Sequence, residues 1–146
     1  MKSLLVITCL SIFINSCGPS KSVTSSQGVS ALRGTWQLNY VSGPRISFDG
    51  LYPDKKPVLT FETSKKKIFG NTSCNSFSGI FTIEGKKLKF ADNMGMTKMA
   101  CDGEGETIFL QALKKINGYD VTAGYTLTLL MDDVAMMRFT KVAGSL

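Results

Sequence analysis

The sequence predicts an α+β domain: a small curved antiparallel β-sheet, or a partly open barrel, with one packed α-helix. Three observations lead there. From Leu32 onward, apolar residues recur at alternate positions in several short runs, the period of a half-buried strand. Nearly every link between those runs is short enough for a hairpin or meander. Only one segment, Asp102 to Ile116, has an apolar stripe at helical spacing. With 146 residues, 43% of them hydrophobic, the chain suffices for one domain with a true core.

The amino terminus reads as an address. Lys2 precedes an apolar run from Leu4 to Ile14. That run is too short to cross a bilayer, which takes about 20 apolar residues. A basic start, a short apolar centre and small residues at its end predict a signal peptide over 1–16. Ile14-Asn15-Ser16-Cys17-Gly18 resembles a bacterial lipobox. That resemblance implies diacylglycerol on the Cys17 thiol, cleavage before Cys17, and attachment to a membrane. Two or three acyl chains hold stably, because each buried CH₂ contributes about 0.8 kcal/mol. Gly18 stands where enteric bacteria place the aspartate that retains such proteins at the inner membrane. The outer membrane is therefore favoured, with the domain in the periplasm or at the cell surface. Gly18 to Ser30 is rich in Ser and Gly and without apolar period, so 17–30 reads as a lipidated cysteine and flexible tether of roughly 20 Å reach.

The folded domain is expected over 31–146. In the first strand Leu32, Trp36, Leu38 and Tyr40 face one way, with Trp36 as a core anchor. Ser42 to Pro57, with three prolines and two glycines, is a long loop. Its Phe48, Leu51 and Tyr52 are expected to fold back on the sheet edge, or else to mark a binding site. Val58 to Glu62 is a strand with Leu59 and Phe61 inward, and Lys67 to Gly70 begins the next. Phe77, Phe81 and Ile83 share a face, Glu84-Gly85-Lys86 is a hairpin turn, and Leu88 and Phe90 return on the inner face. Ala91 to Cys101 crosses over, its Met94, Met96 and Met99 read as flexible core filler rather than soft-metal ligands. In the helix, Asp102 is expected to cap the first turn, Phe109, Ala112, Leu113 and Ile116 to face the core, and Gly118 to form a left-handed cap. Tyr119 to Thr122, Tyr125 to Met131 and Val134 to Val142 close the chain as strands, with Tyr125, Leu127, Leu129 and Met131 on one face and Ala135, Met137, Phe139 and Val142 or Met136 as core candidates.

Composition excludes several chemistries. The chain has no histidine, which removes histidine bases, Ser-His-Asp and Cys-His pairs and imidazole metal ligands. The net charge of +6 sits in short lysine groups at turns and a helix end, which solvation explains, so no nucleic-acid partner is expected. If Cys9 leaves with the signal peptide and Cys17 takes lipid, Cys74 and Cys101 remain as an even pair, a disulfide or two buried free thiols. Two body cysteines do not make a four-cysteine zinc site, and no metal ligand, cofactor or catalytic residue is expected. Asn75 reads as a turn residue. The carboxylates Asp92, Asp102, Glu104, Glu106, Asp132 and Asp133 are those a hydrolase would have to use, but caps and turns explain them.

Four motifs in order carry a resemblance: Leu32-x-Gly34-Thr35-Trp36-x-Leu38, then Gly70-x-x-x-Cys74-Asn75-x-Phe77-x-Gly79-x-Phe81, then Thr97-x-Met99-Ala100-Cys101, then the helix. This resembles the META domain of HslJ-like bacterial lipoproteins and envelope proteins (a DUF306-like family), over Leu32 to about Val142. Ser73 departs from the glycine the family places before its Cys-Asn, and Phe81 from a common tyrosine. The resemblance implies a small antiparallel α+β fold, an envelope location and a link to heat shock or stress, without a catalytic residue. The expectation is a monomeric, non-enzymatic envelope lipoprotein that binds an unknown envelope protein or ligand. The alternative is a carrier of an apolar ligand among Phe77, Phe81, Leu88, Phe90, Leu127 and Leu129.

Overall fold

The structure, a computed structural model, describes residues 26–144. The signal peptide, Cys17 and the first part of the tether lie outside the described residues. A short helix α1, Ser26–Leu32, comes first. Residues 26–30 of the stretch read as flexible tether are therefore helical, and Leu32 ends that helix rather than opening a strand. Leu32 is fully buried, and its carbonyl accepts from the Trp36 indole at 2.7 Å.

The strands are β1 (Gly34–Val41), β2 (Val58–Glu62), β3 (Lys67–Asn71), β4 (Ser76–Glu84), β5 (Lys87–Phe90), β6 (Gly95–Met96), β7 (Gly118–Thr122), β8 (Thr126–Met131) and β9 (Val134–Lys141). Between them lie α2 (Phe48–Leu51), a 3₁₀ turn (Thr63–Lys65) and α3 (Gly105–Lys114). Neighbours run β3-β2-β1-β9-β8-β7-β5-β4, and β4 pairs back onto β3. Eight antiparallel strands thus close into a barrel, with β6 added on the other side of β4. Closure removes the exposed edges that an open sheet would have to protect.

The closing joint between β5 and β7 is narrow. It comprises the pair Lys87–Gly118, with Leu88 N–H donating to the Asn117 carbonyl and Tyr119 N–H to the Lys86 carbonyl, each at 3.1 Å. By contrast β8 and β9 pair over six positions.

Inward residues fill the barrel. Trp36, Leu38, Leu59, Phe61, Ile68 and Phe139 are at most 1% exposed. The Phe61 and Phe81 rings meet edge to face at 5.2 Å, a favoured aromatic geometry. A void wide enough for water would leave accessible surface on its lining. Leu88, Leu127 and Leu129 show 0%, and Phe77 and Phe81 no more than 3%. Five of the six residues considered as walls of an apolar cavity are therefore packed core, as small barrels favour. Helix α3 supplies Phe109, Ala112 and Leu113 to the same core, with the Phe109 ring 5.9 Å from that of Phe77, and Ile116, just past the end of the helix, joins them.

Several details depart from the sequence expectations. A β-bulge between Leu38 and Tyr40 turns Tyr40 outward and Val41 inward. Tyr125 is 60% exposed because left-handed Ala123 and Gly124 make a turn before β8 begins at Thr126. Val142 also lies at the surface. Met96 and Met99 are exposed and do not fill the core; only Met94 packs against it. The helix starts at Gly105, Asp102 does not cap it, and the preceding Glu104 makes no side-chain cap bond. Gly118 is not a left-handed cap but opens β7. The loop after β1 holds α2, capped by the Ser47 hydroxyl, which accepts from Gly50 N–H. Leu51 and Tyr52 are buried against the amino end of α3, where the Tyr52 hydroxyl donates to the Gly105 carbonyl at 3.0 Å. Close packing explains two glycines. A Cβ on Gly70 would lie 1.9 Å from the Val58 carbonyl oxygen, and one on Gly105 would lie 2.6 Å from that of Leu51.

Candidate functional site

The densest polar cluster of the described residues lies where three segments meet: the turn between β3 and β4, the strap from Ala91 to Glu104, and the first turn of α3. The turn has a mechanism in its sequence. The Asn71 side chain accepts from Ser73 N–H at 2.9 Å, and the Thr72 hydroxyl accepts from Asn75 N–H at 3.0 Å. Thr72 N–H donates in turn to the Asn75 carbonyl at 2.8 Å. Ser73 adopts a positive φ of 93° to let the chain reverse.

Cys74 and Cys101 are bonded in the structure, with Cα atoms 5.9 Å apart, which pins the strap to the turn. Asn75 does the same without a covalent bond. Its Oδ1 accepts from the Thr97 hydroxyl at 2.7 Å and from Met99 N–H at 2.8 Å. Its Nδ2 donates to the Met99 carbonyl and to Glu106 Oε1, each at 3.1 Å, and faces the Cys101 sulfur at 3.1 Å. Asn75 is 2% exposed and Thr72 fully buried, so these bonds replace water that neither side chain retains. Asn75 is more than the turn residue the sequence suggested: it ties the turn, the strap and the helix together.

Glu106 completes the cluster. One carboxylate oxygen accepts from the Thr72 hydroxyl and from Asn75 N–H, the other from Asn75 Nδ2. Sequence reasoning placed Glu106 only among the carboxylates that caps and turns explain. Its partners lie 34 and 31 positions away, beyond any local pattern. The Cys74, Cys101 and Glu106 donor atoms all lie within 4.8 Å of one another, each residue half-buried.

The other carboxylates do not join this cluster. Asp92, Asp102 and Glu104 are exposed. Asp132 exchanges two hydrogen bonds with the Asn117 side chain, at 2.7 and 2.8 Å, holding the β8–β9 turn near the end of α3. Asp132, Asp133 and Glu84 line a depression beside the β5–β7 joint, which Lys86, Lys87 and Lys89 also line. Across that joint Lys86 pairs with Asp120 at 2.5 Å, and this bond above all holds the Asp120 carboxyl below the usual range. Cys17 lies outside the described residues.

Comparison with known proteins agrees on the fold. A solved NMR structure of a protein from Burkholderia xenovorans is 23% identical, covers 82% of this chain and 89% of its own, and has a TM-score of 0.61. A second NMR structure is 24% identical over 82% of this chain and 95% of its own, with a TM-score of 0.56. A crystal structure of a DUF4847 family protein from Bacteroides vulgatus is 13% identical over 75% and 92%, with a TM-score of 0.53. Likeness at these identities speaks for the fold alone. No curated protein matches the chain. The META domain profile matches residues 30–144, nearly the whole described region, and the chain therefore belongs to the META domain family.

Proposed function

We propose that this chain is a non-enzymatic cell-envelope lipoprotein, anchored through Cys17, whose barrel serves as a partner-binding or envelope-maintenance module. The observation that carries the reading is how the polar groups of the barrel are spent. The Thr72, Asn75 and Glu106 side chains bond to one another and to the strap, and the interior is filled by packed apolar side chains. Such a domain acts through its outer surface, by contact. The lipobox at Ile14 to Cys17 supports anchoring, and a half-buried disulfide suits an oxidising compartment. The link to stress rests on the family alone.

Metabolic labelling with palmitate tests the anchor. The expected result is labelled protein in the membrane fraction, with label and fractionation both lost in Cys17→Ala. Labelling that survives Cys17→Ala overturns it. Crosslinking of the lipidated protein in intact cells tests the partner reading: a discrete adduct supports it, and uncrosslinked protein alone speaks against it.

A further inference from the structure

We propose that Cys74, Cys101 and Glu106 form a binding site for a thiophilic divalent cation such as Zn²⁺ when the two cysteines are reduced, so that the cation and the disulfide exclude each other. The inference does not depend on the anchor or on a partner. It starts from geometry: two sulfurs and a carboxylate oxygen lie mutually within 4.8 Å. Zn²⁺ takes such donors at about 2.3 Å from sulfur and about 2.0–2.2 Å from oxygen, so the two sulfurs, bonded to each other in the structure, must move apart once reduced while the carboxylate oxygen closes in on the ion between them. Thiolates with a carboxylate suit this ion, and a water completes four-coordination. All three residues are half-buried, leaving one side of the cluster open to that water.

The surroundings favour the same ion. Asn75 Nδ2 sits 3.1 Å from the Cys101 sulfur and 3.8 Å from that of Cys74. A disulfide sulfur is a weak acceptor. The same N–H facing a metal-bound thiolate gains a charge-assisted bond. Glu106 is oriented by the Thr72 hydroxyl and Asn75 N–H on one oxygen, while the other receives only Asn75 Nδ2 and keeps lone-pair capacity for a cation. Outer partners of this kind fix metal ligands in place. Three negative groups this close repel one another, and a divalent cation offsets that repulsion.

The chemistry balances. A newly synthesised chain carries both thiols. Alternatively, a dithiol reduces the Cys74–Cys101 bond by exchange, gives up two electrons and two protons, and itself becomes a disulfide. The cation then displaces the two thiol protons and binds two thiolates.

The test uses the full chain carrying Cys9→Ser and Cys17→Ser, so that Cys74 and Cys101 are the remaining cysteines. It is reduced with a phosphine, freed of reductant without oxygen, and titrated with Co²⁺ and then Zn²⁺. Expected is one Co²⁺ per chain, with thiolate-to-cobalt charge transfer and the visible bands of tetrahedral cobalt, all discharged by Zn²⁺. The oxidised chain should take up none, Cys74→Ser should abolish the charge-transfer band, and Glu106→Gln should weaken binding by about tenfold or more. Absence of the band in the reduced chain overturns the proposal, and so does unchanged affinity in Glu106→Gln. Circular dichroism runs alongside. A reduced chain that unfolds must regain its fold on adding Zn²⁺, and one that stays unfolded with Zn²⁺ also overturns the proposal.

Discussion

At the scale of single residues, Ser73 shows how a departure from a family pattern becomes a physical statement. Its φ of 93° lies where a side chain clashes with its own backbone and glycine does not. The Ser73 amide, not its hydroxyl, makes the bond to Asn71 that the turn uses. Ser73→Gly should therefore stabilise the fold by about 1 kcal/mol, the gain from relieved strain exceeding the added freedom of the unfolded chain. Urea denaturation checks this: a raised midpoint at unchanged slope is expected, and a lowered midpoint contradicts it. The sequence pointed to this residue only as an exception. It could not show the φ, nor that Asn75 beside it would serve three segments. The inward residues were more legible. Leu59, Phe61, Phe77, Phe81, Leu127 and Leu129 all stand where alternation placed them, because burial on one face of a strand forces a period of two.

At the scale of elements, the helix stripe and most strands were readable, and the failures share a cause. Tyr40 and Tyr125 follow the alternation on paper, but a bulge and a left-handed turn reset the register locally. Helix α2 was hidden because four residues are too few to show a period. Its consequence is testable through Tyr52. Burial pushes this phenol up to about 12 from an ordinary value near 10. The fold thus favours the neutral phenol. That contribution is fully present below about pH 10 and is lost as pH rises through about 12. Spectrophotometric titration should show a late phenolate step near pH 12 that disappears in Tyr52→Phe. That variant also leaves the Gly105 carbonyl without the hydroxyl donor, and should cost about 1 kcal/mol. A titration identical in the parent chain and the variant contradicts the assignment.

At the scale of the whole molecule, the sequence predicted the class and left the barrel only partly open, while the structure closes it. Closure was not legible because it rests on two pairings between strands far apart in sequence: β1 with β9 over five positions, and, between β5 and β7, the single pair Lys87–Gly118 with its two flanking bonds. The joint is braced by side chains. The Tyr119 hydroxyl donates to the Gly85 carbonyl at 3.3 Å, and Lys86 pairs with Asp120. An ion pair this exposed contributes under about 1 kcal/mol. The barrel should therefore open first between β5 and β7, well below the free energy of global unfolding. The Cys74–Cys101 bond lies elsewhere, so it should keep the strap on the turn while the joint opens. Native-state hydrogen exchange reads this directly. The Leu88 and Tyr119 amides should exchange through a lower-energy opening than those of Leu127 and Leu129, which are held between β7 and β9. Asp120→Asn should speed exchange at Leu88 and Tyr119 severalfold and leave Leu127 and Leu129 nearly unchanged. Equal protection at the two sets of amides would mean that the barrel opens only as a unit, with the narrow joint carried by the cooperativity of the core.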